Sequence, residues 1–133
     1  KLQSQSTSSA AAFVQKASVA ALTASQQCVE EMRTSYISLR DQVLEGLRGI
    51  PGIRCTVPEG AFYVYPNVSA FLGKGKVGSA SELATRLLHE ANVVTVPGEA
   101  FGTQEHIRIS YAVSQGDIDE GVKRMKAFFA KLG

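Results

Sequence analysis

Disulfide frameworks, metal knuckles and redox pairs are missing from this sequence. Its cysteines number two, Cys28 and Cys55, far apart and at no ligand or redox spacing. Two thiols do not staple a chain of this length, so they read as reduced. The expected location is cytoplasmic, with an organelle stroma or matrix left open. Charge of one sign is scarce too. A formal net charge of +2 is too weak a field to mark nucleic acid or an anionic membrane as partner. No apolar run approaches the roughly 18 residues of a membrane span, no secretory signal pattern opens the chain, and no internal repeat runs through it. No methionine stands first either, which leads us to expect a processed protein or a piece of a longer one.

What is present has an ordinary globular composition: 133 residues, 44 % hydrophobic and 20 % charged, enough for one workable core. The first 50 residues read as helical. "STSSAAAFVQKASVAALTA" is rich in alanine, the best helix former, and Ser6, Thr7, Ser8 or Ser9 can cap its start. From about Gln26 the pattern sharpens: Val29, Met32, Tyr36, Leu39, Val43, Leu47 and Ile50 recur at helical spacing, one stripe of an amphipathic helix. "GIPG" at 49–52 ends it. Three segments follow from this: a helical segment over 1–25, a long connecting helix over 26–50 and a small α+β domain over 51–133.

Within the third segment the period changes. "IRCTV" and "AFYVYP" read as an antiparallel hairpin around Pro58, Glu59 and Gly60. Ser79 with Glu82 is a capping-box signature, opening a helix that carries Leu83, Leu87 and Leu88 on one face. "VVTV" at 93–96 is a short strand stopped by Pro97. Ser114 with Asp117 starts the last helix, which buries Ile118, Val122, Met125, Phe129 and Leu132. Its Lys123, Arg124, Lys126 and Lys131 read as a solvated face. The expected fold class is α+β: a small mixed sheet with helices packed on it, preceded by a long helical arm.

One strand raises a question. In "EHIRISYAVS", Arg108 stands between Ile107 and Ile109. Side chains alternate across a strand, so if the isoleucines face the core, Arg108 faces away from it with Ser110. A solvated strand face and an anion site both satisfy that pattern. A guanidinium offers a planar fork of donors that matches a carboxylate.

"PEGAFYVYP", "VVTVPGEAFG" and "HIRISYA", in that order and after an opening "KLQSQSTSS", resemble the C-terminal part of pyridoxal-phosphate-dependent aminotransferases of the aspartate aminotransferase type. The resemblance covers essentially the whole chain. It implies that Arg108 binds the substrate α-carboxylate. It also implies that Phe62 and Tyr63 lie near the active-site mouth and that Gly98 and Phe101 shape the wall of the small domain's cleft. Gln3, Ser4, Gln5, Ser6 and Thr7 would lie near the cofactor end of a large domain and its dimer interface, and residues 26–50 would join large and small domains. Amino-acid and 2-oxo-acid substrates, a homodimer and pyridoxal 5'-phosphate in the full-length enzyme are implied as well. The family's Schiff-base lysine has no counterpart here, since Lys1 stands in the wrong context. No cofactor is therefore expected on this chain by itself, no catalytic residue is assigned, and the chain alone is expected to be inactive. One charge-assisted hydrogen bond contributes about 1.5–3 kcal/mol, short of the roughly 4 kcal/mol of millimolar binding. "KLQSQSTS" also resembles the branch that transaminates prephenate alongside aspartate.

The remaining signals are weaker. "GKGKVG" at 73–78 is literally GxGxxG, with a helix after it and Glu99 about 20 residues on, which keeps a dinucleotide-binding module as an alternative. A free-standing, non-catalytic interaction domain is another. His89 and His106 have no partner at metal spacing and read as surface residues. Tyr36, Tyr63, Tyr65 and Tyr111 read as packed rings with their hydroxyls at the surface, and Cys55 as a small core residue.

Overall fold

The computed structural model describes residues 1–6, 8–75 and 77–132, with Ser4 described by its backbone alone. It divides into two units, Lys1–Met32 and Arg33–Gly133. The first unit is helical, as its alanines predict: α1 (Leu2–Ser6), α2 (Ala12–Thr23) and the opening turns of α3 (Gln27–Arg48). α2 buries no residue, and Phe13, Val19 and Leu22 stand exposed. Its N-cap is Ala11, which makes no side-chain capping bond. The expected serine cap is thus corrected: the helix starts beyond Ser9, and Val14 N in its first turn is bonded to the Ala11 carbonyl instead. Thr7 lies outside the described residues.

The second unit holds the core. From Leu39 on, one face of α3 turns inward: Val43, Leu44, Leu47 and, just past the helix, Ile50 are buried. α4 (Ala80–Ala91) adds Leu83 and Leu87, and α5 (Gln115–Leu132) adds Ile118, Met125, Phe128, Phe129 and Leu132. Leu88, expected on the buried face of α4, is exposed, and Ala84 takes the inner position. Phe129 is the centre of an aromatic cluster, 4.5 Å from the ring of Phe71 and 5.5 Å from that of Phe128. α3 and α5 approach closely because Gly46 has no side chain: a Cβ there would fall 2.5 Å from Val122 Cγ1.

Both expected caps of the second unit form. Ser79 Oγ accepts from Glu82 N, and the Glu82 carboxylate accepts from Gly78 N at 2.8 Å. Ser114 Oγ accepts from Asp117 N and donates to the Asp117 carboxylate. α4 ends on Asn92 in the left-handed region, whose N–H reaches back to Leu88 O, a C-terminal role asparagine tolerates.

The sheet is three-stranded in the order β1-β3-β2, from β1 (Tyr63–Val64), β2 (Val96–Pro97) and β3 (Ile107–Ser110). Both pairings are antiparallel, with Val64 opposite Ile109 and Pro97 opposite Ile107. The sheet is therefore not mixed. β1 and β2 do run in the same direction, with α4 between them, but β3 is inserted between the two. The connection from β2 to β3 is too short for a parallel crossover. The expected hairpin of "IRCTV" with "AFYVYP" shrinks to one bridge, Arg54 with Asn67. Ala61, a non-glycine at φ 62°, bends the chain before Tyr63, and β1 pairs with the distant β3 instead. Among the described residues no helix is long and apolar enough to cross a membrane.

Candidate functional site

Alternation along β3 settles which way the arginine faces. Ile107 and Ile109 are buried, Ser110 is exposed and Arg108 is half-buried on the side away from the isoleucines. Its guanidinium does not lie loose in water. The Cζ atom is 4.8 Å from the ring centroid of Phe101 and 5.4 Å from that of Tyr63, both within cation–π range. Among the described residues, no carboxylate pairs with Arg108 and no hydrogen bond occupies its N–H groups. The site thus offers a permanently charged donor fork, held by two rings and neutralised by no acid among the described residues.

The loop that delivers Phe101 is built on Gly98. A short 3₁₀ turn spans Gly98–Phe101, and Gly102 closes it at φ 81°. Thr103 N donates back to Gly98 O at 3.1 Å, and Gly98 N donates to His106 O at 2.8 Å. A Cβ on Gly98 would lie 2.6 Å from both His106 O and Thr103 Oγ1, so only glycine fits. Glu99 Oε1 accepts from Ser81 N, tying the turn to the N-terminus of α4, where the helix dipole favours a carboxylate.

Arg108, Tyr63, Phe101 and Gly98, all singled out from sequence, therefore come together. Phe62 does not join them: one residue before Tyr63, it turns to the opposite side. There it lines a cavity of about 340 Å³ with Tyr36, Arg40, Pro58 and Tyr111. Arg40 donates to Pro58 O and pairs with Asp41 at 2.7 Å. Gln3, Gln5 and Ser6 belong to α1 in the first unit, where Ser6 Oγ donates to Gln3 O. The side chain of Ser4 and all of Thr7 lie outside the described residues.

Three side chains lie otherwise than the sequence reading placed them. His106 is half-buried rather than at the surface, stacked 4.9 Å from the Tyr65 ring at an interplanar angle of 8°. The hydroxyl of Tyr65 is not at the surface either: it lies 2.6 Å from Thr103 Oγ1. Tyr111 is likewise buried, its hydroxyl donating to Ala61 O at 3.0 Å, and burial pushes its phenol above the usual range. A period of two through Tyr63 and Tyr65 is the signal that puts both rings on the face that carries Arg108; Thr103 has no such signal.

The dinucleotide-binding alternative finds little to stand on. "GKGKVG" follows a 3₁₀ turn (Ser69–Phe71), not a strand. The N–H groups of Gly78, Ser81 and Glu82 that open α4 are already taken by Glu82, Glu99 and Ser79, which leaves no cradle for a pyrophosphate. Among the described residues no cluster of His, Cys, Asp and Glu could hold a metal ion.

A small antiparallel sheet covered by helices, carrying a guanidinium between two rings, defines a domain of the α+β class. The chain belongs to the aminotransferase class I and II family, whose model it matches over residues 1–125. It is 42 % identical to the aspartate aminotransferase of Streptomyces avermitilis over 98 % of its own length and 33 % of that protein's. It is 41 % identical to a probable aspartate/prephenate aminotransferase of Aquifex aeolicus, covering 94 % of this chain and 32 % of that one. The crystal structure of the aspartate aminotransferase from Rhizobium meliloti superposes with a TM-score of 0.91 at 38 % identity, over 99 % of this chain and 34 % of that one. The chain thus spans about a third of the length of the curated relatives it matches.

Proposed function

We propose that this chain is the substrate-carboxylate-binding C-terminal part of an aminotransferase that moves an amino group between aspartate, or a related amino acid, and a 2-oxo acid. The observation that carries this reading is Arg108, charged, without a partner among the described residues, and held between Phe101 and Tyr63. Arginine stays protonated, so its part is positioning, not proton transfer. Two parallel hydrogen bonds to an α-carboxylate fix its plane, and the flanking rings keep the guanidinium from swinging away from it. Names of both kinds among the relatives, aspartate and aspartate/prephenate, keep both substrates within the proposal.

Pyridoxal phosphate belongs to this reading as the cofactor of the longer enzyme, held by residues outside this chain. The exposed Phe13, Val19, Leu22, Val29 and Met32 are an apolar surface of the kind that a larger domain or a homodimer partner covers. A cytosol-like compartment is part of the same proposal.

The test is kinetic. In the full-length protein, aspartate and 2-oxoglutarate should be turned over. Arg108→Lys should raise KM for the amino acid about 10- to 100-fold, as loss of a charge-assisted bond implies. The 133-residue chain alone should neither retain the cofactor's visible absorbance after dialysis nor transaminate. An Arg108→Lys enzyme with unchanged KM would remove the basis of the proposal.

A further inference from the structure

Arg108 is held by rings, and the ring nearest to it is not held by the core. Phe101 is 48 % exposed and sits at the end of a four-residue turn. Something other than burial must fix it, and the contacts around Tyr65 supply that. The register of β1 with β3 runs through Val64 opposite Ile109 and on to the bridge of Asn67 with His106, which sets Tyr65 opposite Arg108. The Tyr65 ring stacks flat on His106 and meets Phe101 edge-on, at 6.0 Å and 86°. Its hydroxyl lies 2.6 Å from Thr103 Oγ1 and donates toward Gly98 O at 3.4 Å. With that proton directed at Gly98, the short bond runs from the Thr103 hydroxyl to the Tyr65 oxygen. One side chain, next to the end of β1, thus grips both ends of the turn 98–103 whose tip carries Phe101.

We propose that Tyr65 and Thr103 form a latch that positions Arg108: their shared hydrogen bond locks the turn in the form that lays Phe101 on the guanidinium. Tyr65 does not pair with the arginine itself; it acts through Phe101. A hydroxyl pair is needed at these two positions, not merely an apolar fill. The latch deepens the aminotransferase reading, on which its functional meaning rests, but its existence is a property of this chain alone.

The test reads Arg108 directly. In the 133-residue chain, the Nε–Hε signal of Arg108 is assigned by its loss in Arg108→Lys and should be displaced by the ring current of Phe101. Phe101→Ala should move it toward the position of a solvent-exposed arginine. Tyr65→Phe and Thr103→Val should each move it the same way, the double variant no further than either single one, and Thr103→Ser should leave it in place. If Phe101→Ala moves the signal while Tyr65→Phe and Thr103→Val do not, the latch is overturned. It is also overturned if Phe101→Ala itself has no effect. Should Tyr65→Phe unfold, the Thr103→Val and Thr103→Ser pair decides alone. In the full-length enzyme, Tyr65→Phe should raise KM for the amino acid about two- to tenfold, the weight of one neutral hydrogen bond. An Arg108→Lys enzyme with unchanged KM would remove the aminotransferase reading and leave the spectroscopic result standing.

Discussion

The ring of Phe101 lies over the guanidinium of Arg108 at 4.8 Å, on a strand whose next residues on either side, Ile107 and Ile109, are buried. A cation over an aromatic face contributes about 0.5–1 kcal/mol at a partly exposed site. The coupling between these two side chains should therefore be measurable. A double-mutant cycle of Arg108→Gln with Phe101→Leu, followed by urea unfolding, should return about 0.5–1 kcal/mol of coupling. Leucine keeps apolar bulk and removes the quadrupole. A coupling of zero would mean that the two groups merely adjoin.

Gly98 yields a sharper prediction. A methyl group there meets His106 O and Thr103 Oγ1 at 2.6 Å, and one of the two neighbours is backbone of the strand entry. Gly98→Ala should cost more than the few tenths of a kcal/mol typical of surface changes, about 2 kcal/mol or more. It should also displace the turn carrying Phe101. Amide exchange at Thr103, whose N–H is bonded to Gly98 O, should accelerate more than exchange in α5.

These two residues also mark what was legible in the sequence. The inward isoleucines and the outward arginine follow from the period of two, a local rule, and the structure keeps them. The caps at Ser79 and Ser114 are equally local, a hydroxyl three residues before an acid, and both form. What was not legible depends on partners distant in the chain. β1 pairs with β3, about 45 residues away, and not with the segment beside it, because nothing in "IRCTV" encodes which edge it meets. The bond between Tyr65 and Thr103 spans 38 positions and leaves no periodic trace. The serines before α2 misled for the opposite reason: capping residues are abundant there, but the alanine run nucleates beyond them.

Gly46 tests the packing of α3 on α5. Alanine is better than glycine inside a helix by about 1 kcal/mol, so propensity alone predicts that Gly46→Ala stabilises. The Val122 side chain, 2.5 Å from the new Cβ, predicts the reverse. Overpacking of this kind costs about 1–3 kcal/mol, so Gly46→Ala should lower stability. Val122→Ala in the same chain should recover most of the loss, which makes the pair strongly non-additive. A simple gain on Gly46→Ala would show that the helices separate freely.

Tyr111 should make the stability of the second unit fall in alkali. Burial raises its phenol, and burial also raises the Cys55 thiol. A group whose proton is held more tightly in the folded state contributes fully below its unfolded pKa and loses that contribution as pH rises through the folded value. Unfolded tyrosine titrates near 10 and cysteine near 8.5, so stability should begin to drop above about pH 8.5 and drop faster above about 10. Cys55→Ala should remove the first part of the decline, and adding Tyr111→Phe should flatten the second. Tyr111→Phe should also lower the neutral-pH plateau by about 0.5–1.5 kcal/mol, because the bond from its hydroxyl to Ala61 O is lost. Urea midpoints for the wild type, the single and the double variants between pH 7 and 11 check both statements. A Tyr111→Phe chain whose alkaline slope matches its parent would show that this phenol titrates as it does in water.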